Sequence, residues 1–114
     1  MSLVKTFEKC RGDLAFKVAR VLVAMDALGH PVKVVESFRP QERQDELYAQ
    51  GRTQPGTRVT WTQKSRHTEG RAVDLAFEGP HPYSMSHPWH LLKTVCEAIG
   101  LEGLGEKDRG HWQI

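Results

Sequence analysis

The sequence predicts an α+β fold, with helices packed against one small, mainly antiparallel sheet. Three patterns carry that expectation. Leu14, Val18, Val21, Met25 and Leu28 recur at spacings of four and three, which makes one apolar stripe on a helix. Residues 32–37 are a short, β-branched run of the kind that forms strands. From Gly70 the chain alternates: Gly70, Ala72 and Asp74 point one way on a strand, and Arg71, Val73 and Leu75 the other.

Taken in order, residues 1–11 are a short lead-in with no clear pattern. Gly12-Asp13 reads as a helix start with Asp13 as N-cap, and Gly29, followed by His30-Pro31, as its end. After the first strand, Pro40 suits the first turn of a second helix that runs to Gln50, with Gly51 as its stop. Residues 51–66 are a loop rich in Gly, Pro and Thr. A structureless loop of about fifteen residues in a small domain is usually functional or disordered. Trp61 inside it reads as packed, one wall of a cleft.

Residues 70–76 are the strand that carries Asp74, and residues 78–86 a loop. A third helix starts near Ser86 or His87, with Pro88 in its first turn, and ends at Gly100. Leu92, Val95, Cys96 and Ile99 are its buried face. A glycine-rich stretch, 103–110, leads to a last short strand at 111–114.

Composition bounds the function. A chain of 114 residues is read as a single domain, 1–114. A hydrophobic content of 39% with a mixed surface indicates a soluble globular protein. A net charge of +2 gives no case for nucleic-acid binding, and is compatible with an anionic polymer as target. Cys10 and Cys96 are too few and too far apart for a zinc knuckle; small core residues are the preferred reading over a disulfide. The apolar run 14–28 carries Lys17, Arg20 and Asp26, so it is neither a signal-peptide core nor a membrane span. The expectation is a monomer made in the cytoplasm without a targeting segment.

The chemistry concentrates in Ser65-Arg66-His67-Thr68-Glu69-Gly70-Arg71-Ala72-Val73-Asp74 and in Asp108-Arg109-Gly110-His111. His67, Asp74 and His111 are the candidate metal ligands. Two imidazoles and a carboxylate are a familiar set for catalytic zinc, with one position left to water. Asp74 looks out from a sheet face floored by small residues, and Gly70 eases the return of His67 over that face. A structural alternative makes Asp74 a partner that orients His67. Asp108, three before His111, is the candidate base; as an alternative it is a turn residue in Lys107-Asp108-Arg109-Gly110. Arg39 is the candidate for stabilising a developing oxyanion, against a surface pairing with Glu36 or Glu42. Ser65 either touches substrate or holds the His67 loop, and Gln44 either touches substrate or packs its helix. His87 and His90 read as surface or capping residues, and His30 and His81 as loop residues.

The two segments resemble the signature of the zinc D-Ala-D-Ala carboxypeptidase and L-alanyl-D-glutamate endopeptidase family. The resemblance takes in Ser37-Phe38-Arg39, Gln44, Leu47-Tyr48, Gly51-Arg52-Thr53 and Pro55-Gly56, and so spans roughly residues 32–114. It implies a hedgehog/D-Ala-D-Ala peptidase-like fold and zinc held by His67, Asp74 and His111. It also implies Asp108 as general base and Arg39 beside the scissile carbonyl. The implied partner is a peptidoglycan stem peptide, cut at the L-alanyl-D-glutamate bond, as endolysins do after release at lysis. The alternatives are a D-alanyl-D-alanine carboxypeptidase or dipeptidase, and a non-catalytic zinc-stabilised domain that binds wall peptide. Family members usually run further past the last ligand than the three residues present here, so the end is expected either to fray or barely to close the fold.

Overall fold

A computed structural model describes residues 3–114. The chain runs α1 (Gly12–Ala27), β1 (Val32–Glu36), α2 (Gln41–Ala49), β2 (Ala72–Phe77), α3 (Trp89–Ile99), β3 (Glu102–Gly103) and β4 (His111–Gln113). Two 3₁₀ turns, Arg66–Glu69 and Gly105–Asp108, come just before β2 and β4. The strands form one sheet in the order β1-β2-β4-β3, and each neighbouring pair is antiparallel. The α+β expectation holds; β3 is an addition, too short to leave a pattern.

The α1 stripe does what its spacing requires. Leu14, Val18, Val21 and Met25 are fully buried. They join Val32 of β1, Val73, Leu75 and Phe77 of β2, Trp112 of β4, and Trp89, Leu92 and Cys96 of α3 in one core. Burying each such Val or Leu contributes roughly 1.5–3 kcal/mol, so the sheet is held from this face. Leu28 does not belong to the stripe. The helix closes at Ala27 and Leu28 is 52% exposed, past the region that the sheet and α3 cover. Nor is Asp13 the N-cap. The helix begins two residues earlier than that cap implies, at Gly12, and the capping position belongs to Arg11. The Asp13 carboxylate sits in the first turn and accepts from the Leu14 N–H at 3.1 Å, where the helix dipole favours it.

The third helix also starts later than expected, at Trp89, and Trp89 enters the core. His87 lies outside it. Its ring stacks on Phe77 at 4.5 Å and Nε2 meets the His81 carbonyl at 2.6 Å, so it is a packed loop residue. Val95 and Ile99 are half-buried, at the edge of the face formed by Leu92 and Cys96. Cys10 and Cys96 are free thiols, and burial pushes Cys96 up to about 12.

The register of β1 decides what surrounds Asp74. Val32 is opposite Phe77 and Val34 opposite Leu75, both on the core face. The register then shifts, and Glu36 is opposite Asp74. Strict alternation would send Glu36 into the core with Val32 and Val34. The one extra residue, Val35, moves it to the face of Asp74.

The lead-in is tied to this corner. The Ser37 N–H and hydroxyl donate to the Val4 carbonyl at 2.7 and 3.1 Å, and the Arg11 N–H donates to the Gly70 carbonyl at 2.9 Å. Gly70 is therefore not part of the sheet floor. It closes the first 3₁₀ turn at φ 68°, and a Cβ there would stand 2.3 Å from the Lys9 carbonyl oxygen. Ala72 and Ala76 floor the face instead, and both are fully buried.

Candidate metal centre

His67 is delivered by the first 3₁₀ turn. Ser65 caps that turn, its hydroxyl accepting from the His67 N–H at 3.1 Å, and the Thr68 hydroxyl donates to the Ser65 carbonyl at 2.6 Å. Of the two roles weighed for Ser65, this is holding the loop. The His67 ring is 2% exposed. Nδ1 lies 2.8 Å from the Ser37 carbonyl oxygen, which can only accept, so Nδ1 carries the hydrogen. Nε2 is left with its lone pair, 3.2 Å from Asp74 Oδ1.

His111 is delivered by sheet register. It is opposite Asp74 across β2 and β4. The turn before it is tight: a Cβ on Gly110 would come 2.5 Å from the Leu75 carbonyl oxygen, so only glycine lets β4 approach so closely. Gln113 lies two residues on, on the same strand face. Its Oε1 accepts from His111 Nε2 at 2.8 Å, which leaves the Nδ1 lone pair facing Asp74 Oδ1 at 3.4 Å.

Two imidazole lone pairs thus converge on one carboxylate oxygen. That arrangement is repulsive unless positive charge lies between them. Protonating both rings would put two cations 5.0 Å apart, centroid to centroid, at 2% and 6% exposure. One metal ion replaces both protons. The three donor atoms lie within 4.8 Å of one another. Zinc with bonds of about 2.0–2.1 Å requires tetrahedral neighbours roughly 3.3–3.4 Å apart, close to the 3.2 and 3.4 Å found here. The residues fit a metal, and the two oxygens behind the rings are the kind of support that orients histidine ligands.

The electrostatics show the same demand for positive charge at Asp74. With protons in place of an ion, burial opposes the Asp74 charge, but the hydrogen bonds that protonated His111 and His67 would donate, and their positive charge, outweigh it and hold the carboxyl well below the usual range. Burial likewise opposes protonation of His111. Bonding to Asp74 and Gln113 and the charges of Asp74 and Asp108 raise its pKa nonetheless.

Arg39 stands behind Asp74. Its N–H groups donate to Glu36 Oε1 at 3.2 and 2.5 Å and to Gln44 Oε1 at 2.7 Å, and one guanidinium nitrogen is 3.8 Å from Asp74 Oδ2. The pairing with Glu36 exists, but both side chains are nearly buried, so it is no loose surface pair. Gln44 is fully buried, with Nε2 donating to the Thr62 carbonyl at 2.6 Å. Both ends of its amide are used inside the protein. It braces Arg39 and the loop.

Asp108 is at the rim of a cleft of about 310 Å³ that reaches Asp74 and is also lined by Tyr83, Trp89 and Arg109. Loss of solvent around the carboxyl, then the charge of Asp74, raises its pKa against the pull of His111, His67 and Arg39. Trp61 is not a packed wall. It is 77% exposed, with the Arg52 and Arg58 guanidinium carbons each 5.6 Å from its ring. The loop is anchored by Gln44 and by Arg52, which bonds the Thr60 carbonyl at 3.1 Å, so its tryptophan is not needed for packing.

Sequence reasoning missed Ser37, Gln113 and Tyr83 at the site, and saw Glu36 only as a surface partner. Gln113 had a signal, the two-residue spacing from His111. Ser37 had none, because it acts through its backbone carbonyl.

No family model matches the chain. The peptidoglycan L-alanyl-D-glutamate endopeptidase CwlK of Bacillus subtilis (strain 168) is 44% identical over 103 residues, covering 75% of this chain and 62% of the relative. The chain therefore spans less than two thirds of that protein's length. The crystal structure of the Serratia marcescens L-Ala D-Glu endopeptidase ChiX superposes with a TM-score of 0.68 over 95% of this chain and 82% of that one. At 21% identity, that likeness is one of fold.

Proposed function

We propose that this chain is a member of the D-alanyl-D-alanine carboxypeptidase and L-alanyl-D-glutamate endopeptidase family, and a zinc metallopeptidase that hydrolyses peptidoglycan stem peptides at the L-alanyl-D-glutamate bond. One observation carries the metal: two imidazole lone pairs and a carboxylate oxygen meet at one point beside a cleft. His67, Asp74 and His111 would hold the zinc, which would supply Lewis acidity and lower the pKa of a water to about 7.

The protein's own groups do the rest. Asp108, at the cleft rim with a raised pKa, takes the proton of the attacking water and returns it to the leaving amine. Arg39, immobilised by Glu36 and Gln44, supplies fixed positive charge as the carbonyl oxygen becomes negative. A guanidinium already held in place pays no reorganisation during the reaction.

The L-alanyl-D-glutamate bond is favoured over the D-alanyl-D-alanine terminus by what the relatives are named for. An intact base at Asp108 argues against a domain that only binds wall peptide. Digestion of purified peptidoglycan, followed by mass spectrometry and N-terminal labelling, tests the choice. New D-glutamate amines are expected. Free D-alanine with no D-glutamate amine would make the enzyme a carboxypeptidase, and no cleavage at all would leave a binding domain.

A further inference from the structure

We propose that Arg109 recognises the carboxylate of the residue that supplies the leaving amine, and that the cavity beyond Asp108 is the subsite for that side of the peptide. This rests on the hydrolytic reading above, and in particular on Asp108 as the group that protonates the amine.

A cavity of about 550 Å³ lies between the start of α3 and the second 3₁₀ turn. It shares Trp89, Glu106, Asp108 and Arg109 with the smaller cleft at Asp74, so the two adjoin at these side chains. Its volume is in the range of small-molecule sites. Arg109 is half-buried at the junction, its guanidinium carbon 5.3 Å from the Trp89 ring centroid. Among the described residues no carboxylate oxygen lies within 4 Å of its nitrogens, in contrast to Arg11, Arg39 and Arg71. The cation lies over an aromatic ring with one terminal nitrogen against Met85 Sδ, and no carboxylate takes its remaining N–H groups.

Bond counting says for what. A general acid must be within hydrogen-bond reach of the atom that it protonates, here the leaving nitrogen. The α-carboxyl carbon of that residue is two bonds from the nitrogen. In a stem peptide D-glutamate continues through its γ-carboxyl, so its α-carboxylate is free. A carboxylate two bonds from an amine at Asp108 stays within the cavity wall that Asp108 shares with Arg109, the one cation among the described residues that lines both cavities. Glu106 and Asp108 share this wall, and they repel an anion. Arg109 therefore decides whether the carboxylate is accepted.

The test compares two γ-linked peptides that begin at D-glutamate, one with the α-carboxylate and one with the α-carboxamide. Calorimetric titration of the zinc-loaded protein is expected to favour the acid by about tenfold or more, the usual scale for a charge-assisted pair. In Arg109→Gln the preference should vanish or reverse, because the acid then meets Glu106 and Asp108 alone. Arg109→Lys should keep part of it, which separates charge recognition from a loss of folding. The ratio of kcat/KM for the corresponding uncut peptides should follow the same order. Equal binding of acid and amide to the unaltered protein, or an unchanged ratio in Arg109→Gln, overturns the proposal. If digestion releases D-alanine instead, the endopeptidase reading fails. The same acid and amide comparison on D-alanine then decides Arg109 separately, since that residue's carboxylate is also two bonds from its amine.

Discussion

Asp74 of β2 and His111 of β4 are directly opposite each other in the antiparallel register, with Oδ1 of the one 3.4 Å from Nδ1 of the other. Glu36 of β1 is opposite Asp74 on its other side. A single row across the sheet thus holds a buried acid that positions Arg39, the shared carboxylate, and an imidazole. Cross-strand neighbours on one face have Cβ atoms about 4.5–5.5 Å apart, so the sheet itself sets the spacing of the site.

Metal binding should depend on each member of the triad and on what orients it. Elemental analysis of the purified protein is expected to find one zinc per chain, and little in His67→Ala, Asp74→Ala or His111→Ala. Gln113→Ala should still bind, about 10–100-fold more weakly, as for the loss of a group that orients a histidine ligand. Full occupancy in His111→Ala would remove it from the ligand set.

Asp108→Asn should keep zinc and the fold while activity on wall peptide falls about 10²–10⁴-fold. Its raised pKa carries a sign: the base works when deprotonated, so activity should be lost as pH falls, at a point above the ordinary aspartate value. A near-normal rate in Asp108→Asn would point to another base, with Glu106 on the same wall the first to examine.

Glu36 and Arg39 should separate stability from catalysis. Removing one partner of a buried ion pair strands the other, so Glu36→Ala should lose about 3–5 kcal/mol in urea unfolding. Arg39→Lys keeps the charge but not the planar fork that engages Glu36 and Gln44 together. Its defect is expected mainly in kcat, as for a contact that matters in the transition state. A raised KM with kcat unchanged would make Arg39 a substrate-binding group instead.

Cys96 should be inert in the folded protein. Burial, and then the charge of Glu97, raise its thiol from the ordinary 9.0 to about 12. A raised folded pKa contributes stability below the unfolded value and loses it as pH climbs through the folded one. The contribution is therefore complete below about pH 9 and declines towards pH 12. Iodoacetamide at pH 8 should leave Cys96 unmodified until denaturant is added. Rapid native alkylation of Cys96 would contradict its burial.

Local periodicity made much of this chain legible. The α1 stripe and the alternation through β2 each repeat a short pattern, and burial follows from it: Leu14 and Val21 in the one, Val73 and Leu75 in the other, are all in the core. The candidate ligands His67, Asp74 and His111 were marked by residue type and by the family signature, while their meeting depends on a turn that delivers one ligand and two neighbouring strands that deliver the others.

What the sequence by itself determined, then, is whatever depends on residues close together in the chain: helix and strand identity, the apolar faces, and the candidate ligand types. Tertiary structure alone decided the surroundings. A one-residue shift at Val35 turned Glu36 from the core face to the site, and alternation cannot announce such a slip. The Ser37 carbonyl fixes the His67 tautomer through a group that every residue possesses. Gln44 is buried between Arg39 and the Thr62 carbonyl because a distant loop folds over it. The Arg109 cavity exists only where α3 meets the turn before β4. In each case the deciding contact joins segments with no periodic relation, so its energy is set by packing and register rather than by local pattern.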